Sequence, residues 1–178
     1  MIELVFLEVV LFSSKILSAS DSLGSIKLPF VVEEGDIRIQ IDNTHIMVTG
    51  TPLNDRLYHF VKSRSVLEDR VYEVERMESR MIMDGKSEEE IVLEVGKERE
   101  KLSNELDELA KTFIQENYEN VLGPGVFIML CNGFPYPVVT PVIEEIVNGA
   151  PEKFKNNQMV KGYMETAREN MKKLQTSR

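Results

Sequence analysis

The apolar positions of this chain form two long heptad stripes on either side of a short turn. From Leu53 to Met81 the residues seven apart are Leu53, Phe60, Leu67, Val74 and Met81, with Leu57 and Val71 filling part of the alternate seam. From Val92 to Phe113 the set is Val92, Val95, Leu102, Leu106, Leu109 and Phe113. Steps of three and four residues keep each set on one side of a helix. Asp84-Gly85-Lys86 between them reads as a turn. The pattern predicts a long antiparallel helical hairpin over residues 51–117, each arm about 45 Å long at the rise of an α-helix. Thr51 and Pro52 suit the N-cap and first position of the first arm. Ser87 and Glu90 make a capping box for the second. Arg64 and Glu78 interrupt one seam and Arg99 the other. They are expected to sit at its edge with their charges in water, or to fix the register of the hairpin.

Residues 1–50 carry a different period. Glu3 to Phe12 is rich in Val, Leu and Phe, and Ile26 to Val32 is a second run broken at Pro29, which suits an edge or a bend. After the turn signal Glu34-Gly35-Asp36, Ile37, Ile39 and Ile41 alternate with Arg38, Gln40 and Asp42, the period of a half-buried strand. Asp42-Asn43 is the next turn and Ile46 to Thr49 a further strand. Three or four strands predict a small sheet with open edges, and open edges invite a second copy of the chain to pair.

Beyond Phe113, Gly123-Pro124-Gly125 is expected to break the chain ahead of a short buried run, Val126 to Cys131. Asn132-Gly133 and the Pro135/Pro137 pair form a loop. Thr140-Pro141 caps a helix through Val147, which Asn148-Gly149 and Pro151 stop. A last amphipathic helix carries Met159, Val160, Tyr163, Met164, Ala167, Met171 and Leu174. The predicted fold class is α+β: a small antiparallel β-layer, a partial sandwich, then the long hairpin and three shorter helices. The division is a β-region over 1–50 and an α-helical region over 51–178.

At 178 residues the chain can bury a core without metals or disulfides. Its net charge of -9 and pI near 4.9 exclude the basic surface that nucleic acid or an anionic membrane face requires. No stretch has the length and apolarity of a membrane-spanning helix. The apolar start is interrupted by Glu3 and Glu8, and its first basic residue is Lys15, so it reads as a strand rather than a signal peptide.

Four segments follow one another in an informative order: Phe30 to Ile37, Val48 to Asp55, Glu116 to Gly123, and Gly149-Ala150-Pro151 with Phe154 and Lys161 ahead of the closing helix. Together they resemble the uncharacterised N-terminal domain found before thioredoxin-like domains in thiol–disulfide oxidoreductases of the Gram-negative envelope. The resemblance covers Ser25 to Leu174, and Gly50-Thr51-Pro52-Leu53-Asn54-Asp55 is its most specific part. It implies a β-sandwich-like start, helices after it, an envelope or periplasmic location and a thioredoxin-like partner. The family's Cys-x-x-Cys has no counterpart here, and the β-region is short of strands, so the resemblance implies a relative without its catalytic module. Gly50, Thr51, Pro52, Asn54, Asp55, Asn117, Asn120 and Gly123 match the family motif, and the resemblance assigns them no chemistry. The lack of a clear signal peptide leaves the cytoplasm open.

Residues able to do chemistry are few. Cys131 is the one cysteine and lies in an apolar run, the opposite of the basic, exposed setting of a reactive thiolate. His45 and His59 lack metal-ligand spacing. Glu88 to Glu90 suit a helix start, and Glu73, Glu75 and Glu78 a solvated face. Neither a Gly-rich phosphate loop nor a nucleophile elbow occurs, and no cofactor is implied. Asn132 to Pro137 interleaves Phe134 and Tyr136 with prolines. That makes a stiff connector or a partner contact, since aromatic side chains bind at low entropy cost. The preferred reading is a non-catalytic accessory or interaction domain that positions a partner. The alternatives are a thiol enzyme or redox sensor using Cys131, and a cytoplasmic helical-hairpin adaptor.

Overall fold

The computed structural model describes residues 3–10, 25–41 and 46–176. The protein is α+β. The strands β1 (Glu3–Val10), β2 (Ser25–Val32), β3 (Arg38–Ile41) and β4 (Ile46–Thr49) precede the helices α1 (Pro52–Met83), α2 (Glu88–Glu116), α3 (Leu122–Cys131), α4 (Pro141–Gly149), α5 (Glu152–Lys155) and α6 (Gln158–Thr176). The chain divides into two compact units, Met1–Tyr58 and His59–Arg178. The boundary falls inside α1 rather than at Gly50, because the first turns of α1 are bonded to the strands.

In the first unit the strands form two separate antiparallel pairs, not one small sheet. β1 lies against β2 with Leu7 opposite Leu28, and β3 against β4 with Ile39 opposite Val48. Pro29 sits within β2, opposite Phe6. The alternation in β3 does not produce a buried face: Ile39 and Ile41 stay exposed. A two-stranded ribbon covers little of either of its faces. The turn read at Asp42-Asn43 lies outside the described residues, as do His45 and the stretch from Leu11 to Gly24.

The start of α1 is tied to the end of β2 by Asn54, which is buried. Its Oδ1 accepts from Val31 N at 2.8 Å, and its Nδ2 donates to Val31 O and to Thr51 Oγ1, both at 2.8 Å. Thr51 therefore spends its hydroxyl on Asn54, and the free N–H groups of the helix start are capped from a distance. Glu33 Oε1 accepts from Leu53 N at 2.9 Å and Asn54 N at 3.1 Å. Asp55 Oδ1 accepts from Gly50 N at 2.9 Å. Gly50 has φ +104°, and a Cβ there would lie 2.3 Å from Asp36 O, so only glycine fits.

In the second unit α1 and α2 form the hairpin. Val74, Met81, Val95 and Leu102 are its buried cluster, with Leu67, Val71, Met77 and Ile91 packed around them. Val92 is 64% exposed; Ile91 takes the seam position assigned to it. Ser87 and Glu90 complete the capping box in both directions. Across the seam Arg70 donates to Glu105 at 2.7 Å and Glu98 at 3.3 Å. Arg99 pairs with Glu78, so two of the three polar interruptions answer each other.

The body of this unit is built where α2 packs on α3 and α4, and α6 on α3 and α5. Gly123-Pro124-Gly125 does not break the chain; it lies in the first turn of α3. Proline is tolerated there because the N–H it lacks would have no helical partner. The turn before it is built by Asn117 and Asn120. Asn117 Nδ2 donates to Phe113 O at 2.7 Å, Asn120 Nδ2 to Asn117 Oδ1 at 2.9 Å, and Leu122 N to Asn120 Oδ1 at 2.8 Å. A Cβ at Gly123 would meet Asn117 O at 2.4 Å. Phe127 and Phe154 are fully buried and meet edge to face, and Tyr118 and Tyr163 extend the row on either side. On α6 the buried face is Val160, Met164 and Ala167, whereas Met159, Met171 and Leu174 are exposed.

Asn54→Ala removes the partners of a buried strand N–H and C=O together. It should cost about 2–3 kcal/mol, read as faster hydrogen exchange at Val31 and a lower urea midpoint. An unchanged Val31 exchange rate would refute this role.

Candidate functional site

A cleft with a mixed wall lies between helices of the second unit. The α1 seam steps through Phe60, Arg64 and Leu67, so Arg64 occupies a position that elsewhere carries an apolar knob. It does not fill the seam. Arg64 Nε instead donates sideways to Glu68 Oε1 at 2.8 Å, one turn on. Where the seam lapses a cleft of about 200 Å³ opens. α1 contributes Phe60, Arg64 and Glu68 to it, and α2 contributes Ser103, Leu106, Asp107, Leu109 and Ala110. Val126, Met129 and Leu130 come from α3, and Gly133 and Phe134 from the loop after it. Phe60 is held against Phe113 with ring centroids 4.5 Å apart, which fixes one wall.

Asp107 is the distinctive group. Burial pushes its carboxyl above the usual carboxylate range, the neighbouring Glu108 adds to this, and Lys111 opposes it. Lys111 is itself engaged, donating to Glu108 and, at 3.3 Å, to Glu145 on α4.

The loop singled out for Phe134 and Tyr136 is anchored on α6. Tyr163 Oη accepts from Val138 N at 3.1 Å and donates to Val138 O at 3.0 Å, and Asn170 Nδ2 donates to Pro137 O at 3.0 Å. The two aromatics part company: Phe134 is half-buried at the cleft and Tyr136 is 52% exposed.

Cys131 ends α3 and is 2% exposed. Burial pushes its thiol from the ordinary 9.0 up to about 12, against a smaller lowering from its hydrogen bond to Tyr163. A thiol held there has almost no thiolate at neutral pH.

The motif residues fall into two clusters, neither at the cleft. Gly50, Thr51, Pro52, Asn54 and Asp55 build the start of α1. Asn117, Asn120 and Gly123 build the α2–α3 turn. The acids Glu88 to Glu90 and Glu73 are exposed, Glu73 pairing with Arg76 on its own helix. Among the described residues no group of three or more His, Cys, Asp or Glu is placed to hold a metal ion, and no helix is long and apolar enough to cross a membrane. The chain matches no family model, no curated protein sequence and no solved structure.

Sequence reading missed the cleft. Arg64 was visible as a polar interruption, but the α3 and loop walls come from segments distant in the chain. Asp107, between Leu106 and Leu109, was the one further signal.

Two measurements probe this geometry. Cys131 should react with a mild alkylating reagent about a thousandfold more slowly than a free cysteine at neutral pH, from the thiolate fraction alone; rapid native-state labelling would overturn the buried thiol. Folding raises the Asp107 pKa, so its charge costs stability above that pKa and costs nothing once protonated. Asp107→Asn should therefore melt above the wild type at neutral pH, with the gap closing as pH falls through the raised value. A gap that widens on acidification would reverse the assignment.

Proposed function

We propose that this protein is a non-catalytic interaction module that holds a partner on a long helical hairpin. The observation that carries the reading is the apolar surface around the hairpin turn. Ile82, Met83, Val92 and Leu93 are all exposed there, Met83 to 85%. Large apolar side chains gathered at one end of an element are a common mark of a contact surface. They are set among acids: Arg80 to Glu94 holds two bases against five acids, a net charge of -3. A partner bordered by basic residues fits that field, and a second copy meeting tip to tip is repelled by it. The sealed thiol of Cys131 weighs against the redox alternative.

The preferred partner is a thioredoxin-like protein in the bacterial envelope. Its support is the resemblance carried by Gly50 to Asp55 and Asn117 to Gly123. The strand edges left unpaired among the described residues offer a separate route to self-association.

The test is chemical crosslinking and sedimentation of the full chain with a thioredoxin-like protein from the same cell. Binding is expected. The double substitution Val92→Glu, Leu93→Glu should weaken it at least about tenfold while leaving helical content and melting unchanged, since both positions are exposed. Absence of any complex, or a complex indifferent to the double substitution, would refute the reading. Sedimentation of the chain alone reports on self-association, and a strict monomer at high concentration would rule out the strand-edge route.

A further inference from the structure

We propose that the cleft between α1, α2 and α3 is a binding site for a small amphiphilic cation, a primary ammonium group carried on an aryl-alkyl body. This inference is independent of the hairpin surface.

Size sets the first limit. The cleft measures about 200 Å³, and an engineered apolar cavity of about 150 Å³ is enough to hold benzene. A single ring with a short alkyl arm fits, whereas a partner helix does not. The wall sets the second. Phe60, Leu106, Ala110, Val126, Met129 and Phe134 supply an apolar surface with two aromatic rings, suited to stacking or edge contact with a third.

Charge sets the third limit. The ionised side chains of the wall are one base and two acids. Arg64 is already matched to Glu68 at 2.8 Å, which leaves Asp107. Among the described residues no hydrogen-bond donor reaches the Asp107 carboxylate, and the cation beside it, Lys111, donates to Glu108 and Glu145. An anion entering the cleft would meet a wall whose acids outnumber its one base, and that base is already paired with Glu68. An apolar molecule would displace water from Asp107 and return nothing, and a neutral hydroxyl would return a weaker hydrogen bond than an ammonium group. An ammonium group returns the lost hydration as a charge-assisted hydrogen bond, with Ser103 at the same wall as a second acceptor. The raised carboxyl pKa of Asp107 is consistent with a carboxylate lacking such a partner.

The experiment is a titration of the isotopically labelled full chain, followed by NMR, with three probes of one shape: 2-phenylethylamine, 2-phenylethanol and 3-phenylpropanoate. The expected result is saturable shifts at Ala110, Met129, Leu130 and Phe134. The amine should bind at least about fivefold tighter than the alcohol, the increment of a partly exposed ion pair, and the carboxylate should bind most weakly. In Asp107→Asn the alcohol should keep its affinity while the amine loses its advantage. Equal binding of all three probes to the wild type would overturn the proposal. So would shifts confined to residues outside the cleft, no saturable shift with the amine, or an amine preference that survives Asp107→Asn.

Discussion

The register of the α1–α2 hairpin is the constraint on which the second unit rests. Two helices of 32 and 29 residues bury apolar side chains along a narrow stripe. A slip of one turn would leave that stripe partly facing water. Apolar contact alone fixes register weakly, because Leu, Val and Met knobs are nearly interchangeable. The ion pairs supply direction. Arg70 reaches two acids one heptad apart on α2, Glu98 and Glu105, and Glu78 meets Arg99 nearer the turn. Partly exposed pairs of this kind add little stability, but a slipped alignment would leave each charge without its partner. With the register set, Phe60 falls opposite Phe113, and Arg64 falls where the seam must open into the cleft.

Amide side chains do the corresponding work at two other changes of direction. Asn54 presents both an acceptor and a donor to the backbone of β2, completing a strand end that would otherwise be buried unpaired. Asn117 and Asn120 do the same between α2 and α3. Each lies beside a glycine whose missing Cβ is required by a carbonyl in close approach, Gly50 against Asp36 and Gly123 against Asn117. Among the described residues every buried side-chain nitrogen or oxygen has a hydrogen-bond partner. The polar interior is thus committed to holding turns together. Among the described residues no hydrogen-bond donor reaches Asp107, which lies at the edge of the cleft and is only partly buried.

The aromatic row from Tyr118 through Phe154 and Phe127 to Tyr163 explains why the one thiol is buried. Cys131 follows Phe127 by one helical turn on α3, so the packing that buries Phe127 against α6 buries the sulfur too. The Tyr163 hydroxyl beside it is engaged with Val138, fixing the loop that brings Phe134 to the cleft. One tyrosine thereby links the buried thiol, the loop and the candidate site.

Local period and cap chemistry made the hairpin, the capping box of Ser87 and Glu90, the Thr140-Pro141 helix start and the burial of Cys131 legible in the sequence. These features depend on neighbours three or four residues apart. What lay beyond its reach were the choices settled by distant segments. Ile91 rather than Val92 turns inward, and toward its C-terminal end α2 buries Ala110, Phe113 and Ile114, because that part also packs on α3 and α4. Gly123 to Gly125 stays helical because the Asn117 turn supplies its entry. Ile39 and Ile41 remain in water because, among the described residues, β3 has only β4 for a partner. Periodicity states that a face is apolar; only the assembled neighbours decide whether that face is covered, and where, as at Arg64, a gap is left between them.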